Sequence, residues 1–219
     1  GADECIAQWA REVGFLQGDE PGRHGNLSRT TNGPSGSSLV DHYFPALPFT
    51  EKESAFLDAY PVYFVKRGAR GAPGAPHARG QADVMESEYN AVFEDLPGCS
   101  RATLPLRPSA GLLPKLAAQR FGTWLVEALV DMRPDHIVTL GEEVCSALRL
   151  FPDLTVDPTF ESLSATRKSG YGTTWVLTTG QRSIPWTPLA HPGLIRQANT
   201  GPGNWGRVHD EWLQERRRH

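Results

Sequence analysis

The chain has 219 residues, 39% hydrophobic and 21% charged, a balance that suits one soluble domain with a sizeable core. Its net charge of −3 supplies no global basic field, so any contact with nucleic acid must come from a local patch. Cys5, Cys99 and Cys145 are far apart and lack CxxC spacing, which argues against a disulfide framework, a zinc site and a four-cysteine iron–sulfur cluster.

Asp3 to Glu12 places Ile6, Trp9 and Ala10 on one face and is expected to form a short amphipathic helix. Val13 to Gln17 reads as a buried strand running into Gly18, Asp19, Glu20, Pro21 and Gly22. Pro21 and Gly22 turn the backbone off the strand axis and hold two carboxylates at its tip. That position matters because open α/β sheets bind ligands at the carboxyl ends of their strands. Residues 18–36 continue as a long polar loop, a length that compact domains seldom keep without a use for it.

Helices are expected near Ser37–Phe44 and Glu51–Asp58, then a strand at Tyr60–Lys66 and a mobile basic loop at Arg67–Asp83. Met85–Leu96 reads as helical. Ser109–Met132 carries the strongest helix pattern, with Leu113, Leu116, Ala117, Phe121, Trp124, Leu125, Ala128 and Leu129 at three- and four-residue steps. Pro134 ends it, and His136–Leu140 is a strand. Gly141, Glu142 and Glu143 open a helix through Leu150, with the acids at the favourable end. The last strands are Thr173–Thr178 and Ile184–Leu189, the second leading to His191 and Pro192. Gly203–Arg217 closes the chain as a helix with Trp205, Val208, Trp212 and Leu213 inward.

Strands alternating with helices imply a single α/β domain, a three-layer α/β/α sandwich around a central, mainly parallel four-stranded sheet. No apolar run reaches about 18 residues and no signal-peptide pattern opens the chain, so a cytoplasmic protein without a membrane partner is expected. The serines at 35, 37 and 38 lack a nucleophile-elbow context, and Gly33-Pro-Ser-Gly36 lacks dinucleotide-fingerprint spacing. Two strand tips remain, one acidic and one ending in His191.

Both tips resemble motifs of the uracil-DNA glycosylase superfamily. Gly18-Asp-Glu-Pro-Gly22 is similar to its first motif, and Gly33-Pro-Ser-Gly36-Ser-Ser-Leu39 to the start of the following helix. Phe121-Gly-Thr-Trp-Leu125 through Ile137-Val-Thr-Leu-Gly141 resembles its central helix and strand. His191-Pro-Gly-Leu-Ile-Arg-Gln-Ala-Asn199 is similar to its His-Pro motif, nearest to the single-strand-selective monofunctional branch. Two departures stand out. Thr30 and Thr31 fall where most members carry an aromatic ring that stacks on the base, and Tyr63 falls where an asparagine reads the pyrimidine edge. They point to a differently shaped pocket, for a modified base.

The resemblance implies a monomeric, cofactor-free and metal-free enzyme that hydrolyses the N-glycosidic bond of a flipped base in DNA. Glu20 or Asp19 would hold the attacking water, and a neutral His191 would donate to the departing base. Gly18, Pro21, Gly22, Thr31, Tyr63 and Phe64 would line the base pocket. Arg23, Arg29, Lys66, Arg67, Arg196, Gln197 and Asn199 would bind the strand, with Leu194 and Ile195 as a wedge into the stack.

Plainer readings stand beside these. Asp19 and Glu20 fit a solvated turn, His191 fits the cap of a short helix, and Leu194 and Ile195 fit packing against the closing helix. The alternatives to the enzyme are a catalytically silent member that binds nucleic acid or a nucleotide, and a nucleoside hydrolase.

Overall fold

The computed structural model describes residues 36, 38–60, 90–91, 101, 108–168, 170–180, 182–195 and 204–218. The chain divides into two compact units, Gly1–Asn26 with Pro61–Ser109, and Leu27–Tyr60 with Ala110–His219. Every element named below belongs to the second unit. The expected strand at 13–17 and the expected helix at 3–12 lie outside the described residues, as do the expected strand at 60–66 apart from Tyr60, which lies in a bend, and the expected helix at 85–96 apart from the helical Asn90 and Ala91.

Four strands form one sheet: β1 (Ile137–Leu140), β2 (Leu154–Val156), β3 (Trp175–Thr179) and β4 (Arg182–Leu189), in the order β1-β4-β3-β2. The fold is therefore mixed α/β with an open sheet, but the expectation of a mainly parallel sheet is overturned. Among the described residues only β1 and β4 pair in parallel; β3 with β4 and β2 with β3 are antiparallel. The reason is local. Thr179 pairs with Arg182, so two residues join β3 to β4, too few for the crossover that a parallel pair requires. Gly180, at φ 55, supplies the left-handed backbone such a tight hairpin needs.

The long helix α1 (Leu113–Met132) begins with Pro114 in its first turn. It ends at Arg133, in the left-handed region, whose N–H bonds the Leu129 carbonyl. The buried face is Pro114, Ala117, Gly122, Leu125, Val126 and Leu129, rotated from the expected stripe so that Trp124 is 42% exposed. Gly122 sets that rotation. A Cβ there would stand 3.1 Å from Pro152 Cδ and 3.2 Å from Phe151 Cδ1, at the end of α2 (Glu142–Leu148).

Where a regular helix was expected at Ser37–Phe44, Leu39–Tyr43 forms a wide π-turn, and a tight 3-10 turn follows at Phe44–Ala46 with Pro45 at its start. The helix expected at 51–58 shrinks to the single turn Glu51–Glu53. Its Glu53 carboxylate accepts the N–H and the hydroxyl of Thr50, each at 2.8 Å. Those bonds hold the carboxyl below its usual range. Beyond it Ser54 is extended, and Phe49 and Phe56 both meet the ring of Phe44 edge-on. Aromatic packing of this kind outweighs the small helix preference of so short a segment.

The core centres on Trp186, which is fully buried and packs edge-on against Phe160. Its indole N–H donates to Thr139 Oγ1 at 3.0 Å, so the largest buried ring carries no polar debt. Two short helices, α3 (Leu163–Thr166) and α4 (Pro192–Ile195), precede the closing helix α5 (Trp205–Arg216). In α5, Trp205, Val208, Trp212 and Leu213 are buried, matching the inward face expected from their spacing.

Gly172, at φ +73, lies directly against Trp212; a Cβ there would sit 2.1 Å from the indole Nε1. The substitution Gly172→Ala adds left-handed strain to an overpacked contact and is expected to cost about 3 kcal/mol in urea unfolding. Gly180→Ala, where a Cβ meets nothing within 4 Å, should cost clearly less.

Candidate active site at the end of strand β4

The parallel pair β1 and β4 ends in register at Leu140 and Leu189, and the Gly141 N–H continues the ladder by donating to the Leu189 carbonyl at 2.8 Å. The chain continues into α2 after β1 and toward α4 after β4, and in open α/β sheets ligands bind at the carboxyl ends of parallel strands. His191 stands there, exposed. Gly141 has φ +106, and a Cβ built on it would lie 3.4 Å from His191 Cβ and 3.7 Å from Glu143 Oε2. Both side chains thus gather over the bare glycine.

The imidazole is oriented by its own chain. Gly193 N–H donates to His191 Nδ1 at 3.0 Å, and Leu194 N–H donates to the His191 carbonyl at 2.8 Å. His191 therefore caps α4, with Pro192 in the first turn, as the plainer sequence reading held. The contact also has a chemical consequence. A nitrogen that accepts a backbone N–H carries no proton, so the neutral ring bears its hydrogen on Nε2. Three residues on, Leu194 is 39% exposed while Ile195 is buried in the core, so Leu194 alone of that pair faces solvent.

Behind His191 lies a buried polar chain. Ala190, fully buried, donates its N–H to the Tyr171 hydroxyl at 3.0 Å and accepts the Tyr43 hydroxyl on its carbonyl at 2.6 Å. The Tyr171 hydroxyl is 2.8 Å from His209 Nδ1, and His209 Nε2 is 2.9 Å from the His42 carbonyl. A carbonyl only accepts, so Nε2 carries the proton and Tyr171 donates to Nδ1. Burial agrees with this neutral form, pushing His209 down to about 4. Burial also raises both tyrosine hydroxyls above their ordinary value, so they remain protonated.

Other polar groups of this unit are structural. Glu142 accepts the N–H groups of Leu163 and Ser164, tying α2 to the start of α3. His136, at the opposite end of β1, bonds Thr187 Oγ1 at 2.9 Å; burial, then the charge of Arg216, lowers its pKa. The Cys145 thiol is pushed up to about 12 by burial, which removes it as a nucleophile at neutral pH. Among the described residues no cluster of His, Cys, Asp and Glu could hold a metal, and no helix is long and apolar enough to cross a membrane.

Most of the expected site lies outside the described residues. That holds for the first motif, Gly18, Asp19, Glu20, Pro21 and Gly22, and for Thr31, Tyr63 and Phe64. It holds equally for Arg23, Arg29, Lys66, Arg67, Arg196, Gln197 and Asn199. Four residues near His191 were missed by sequence reasoning: Glu143, Tyr43, Tyr171 and His209. Glu143 was legible, since it follows the tip of the strand that pairs with β4. The other three join segments up to 167 positions apart and left no sequence signal.

His209 makes stability depend on pH. Its folded pKa of about 4 lies below the ordinary 6.5, so between these values the unfolded chain binds a proton that the folded chain refuses. Stability is complete above 6.5 and falls as pH drops toward 4. Relative to His209→Gln, which does not titrate, the wild type should lose up to about 3 kcal/mol over that window in urea unfolding. Burial outweighs the bond to the His42 carbonyl and the nearby Asp210, which both act to raise the ring's pKa.

Comparison with protein-family models, curated proteins and solved structures finds no match for this chain.

Proposed function

We propose that the chain is a monofunctional DNA glycosylase of the uracil-DNA glycosylase superfamily, one domain over residues 1–219, that releases a uracil-like or modified pyrimidine. The observation that carries this reading is His191 at the carboxyl end of the parallel pair, its Nδ1 occupied by the Gly193 N–H so that Nε2 is the donor. Breaking an N-glycosidic bond leaves negative charge on the base and positive charge on the sugar. A fixed imidazole donor stabilises the first, and a carboxylate beside the sugar stabilises the second while holding water. Glu20 or Asp19 takes the carboxylate role, as the resemblance of Gly18-Asp-Glu-Pro-Gly22 to the family's first motif implies, and one of the two acts. Leu194, exposed just beyond the histidine, suits the wedge that keeps a base out of the stack.

The product is an abasic site, because no lysine stands in a motif that would form a Schiff base. The enzyme in this reading is a cytoplasmic monomer that acts on DNA without metal or cofactor. The three-layer α/β/α arrangement belongs to the same proposal, as does a role against hypermodified phage DNA, which follows from Tyr63 and the threonines at 30 and 31. One observation favours a second reading. The Nδ1 of His191 serves as the cap of α4, which also fits a silent member that binds a nucleotide or nucleic acid.

DNAs of differing base modification, incubated with the protein and then cleaved at abasic sites with alkali, separate these readings, with mass spectrometry of the released base. His191→Ala should lower base release by roughly 100- to 1000-fold. One of Glu20→Ala and Asp19→Ala, not both, should abolish it. DNA retained without release of any base would favour the silent binder, and turnover confined to free nucleosides would favour a nucleoside hydrolase.

A further inference from the structure

The backbone of β4 loses its strand partner after Leu189, and the next two residues carry the chain to the imidazole. A buried N–H and C=O released from a sheet need other partners. At Ala190 those partners are two phenol hydroxyls from distant segments, Tyr171 on the N–H and Tyr43 on the carbonyl. Both rings enclose His209, Tyr43 at 4.3 Å and Tyr171 at 5.9 Å between centroids. His209 is itself pinned, by the Tyr171 hydroxyl on one nitrogen and the His42 carbonyl on the other. Every polar atom in the series has its partner, and the direction of each proton is determined by the carbonyl at its far end.

We propose that Tyr43 and Tyr171, held by His209, form a positioning frame that sets where His191 stands, and through it the donor of the reaction inferred above. The significance for catalysis rests on that reading; the frame itself does not. Ala190 is the last residue before the histidine, so a shift of its backbone moves the imidazole and strains the 3.0 Å bond from Gly193 that selects the tautomer. Placing such a frame in the core gives the ring a rigid support, although the ring itself is at the surface. Neither tyrosine is a catalytic residue. Their hydroxyls are spent on the backbone and on His209, and burial holds both protonated.

The full chain, labelled with nitrogen-15, reports the frame directly through long-range correlations of its histidine nitrogens, with His191 assigned by its absence in His191→Ala. In the wild type His191 should show one neutral tautomer, the proton on Nε2. Tyr171→Phe deletes the acceptor for Ala190 N–H and the donor to His209, and should let His191 average between both tautomers. Tyr43→Phe removes only the bond to the carbonyl, should act in the same direction, and carries the test alone if Tyr171→Phe fails to fold. Trp212→Phe is the control, since its ring touches His209 at 5.1 Å but does not bond Ala190. It should leave His191 unchanged.

An unaltered His191 spectrum in both tyrosine variants overturns the frame, and so does equal averaging in Trp212→Phe. On a DNA that releases a base, Tyr171→Phe should lower kcat about 10- to 100-fold with KM unchanged. Tautomer averaging without base release from any DNA would sink the enzymatic reading and leave the frame standing; base release at the wild-type rate in both variants would sink the frame's catalytic role.

Discussion

Ala190 marks the place where the sheet can no longer satisfy its own backbone. Leu189 is the last residue of β4 with a strand partner, Leu140, and one position later the chain is still fully buried. An unpaired amide or carbonyl there would cost on the order of 1–3 kcal/mol each. The tyrosine hydroxyls at 171 and 43 remove that penalty and, in doing so, bind three separate pieces of chain to the exit of the strand. The π-turn at Leu39–Tyr43, the loop before β3 and helix α5 all converge there.

The same constraint explains why a histidine sits at the centre of the cluster. A tyrosine hydroxyl that accepts from a backbone N–H still has a proton to place, and a buried proton needs an acceptor. The neutral imidazole of His209 takes it on Nδ1 and passes its own to the His42 carbonyl. An amide in that position would have to match the same geometry without the flat ring that Tyr43 and Trp212 pack against. The cluster is thus polar along its hydrogen bonds and apolar across its ring faces. That allows it to be buried without an unpaired group on His209 or either tyrosine.

The mixed sheet has a related logic. Two of its three strand pairings are antiparallel, and these come from the hairpin at Gly180 and the short strand β2. Among the described residues only the β1–β4 pair is parallel, and parallel strands put two carboxyl ends side by side. Gly141 and His191 meet at those ends because both follow the last paired residue of their strands. Gly141 is needed there for its backbone, at φ +106, and His191 and Glu143 both come within van der Waals distance of where its Cβ would stand. An imidazole and a carboxylate therefore come together at the end of the parallel pair of the described sheet.

Periodicity and punctuation determined much of this in the sequence itself. The inward face of α5, the strand ahead of Gly141 and the strand leading to His191 are each written in a few neighbouring residues, because burial repeats with the local geometry of the helix or strand. So is the cap at His191, since Pro192 must open the turn that follows. Tertiary structure alone decided the rest. The pairing directions turned on a two-residue link whose meaning depends on which strands lie beside it. The rotation of α1 depended on Phe151 and Pro152 pressing on Gly122, and the short turn at Glu51–Glu53 on aromatic contacts with Phe44. The partners of Ala190 lie 147 and 19 positions away, so no local pattern encodes them. A buried hydrogen bond is defined by which groups water has left unsatisfied, and that is known only once the chain has closed around them.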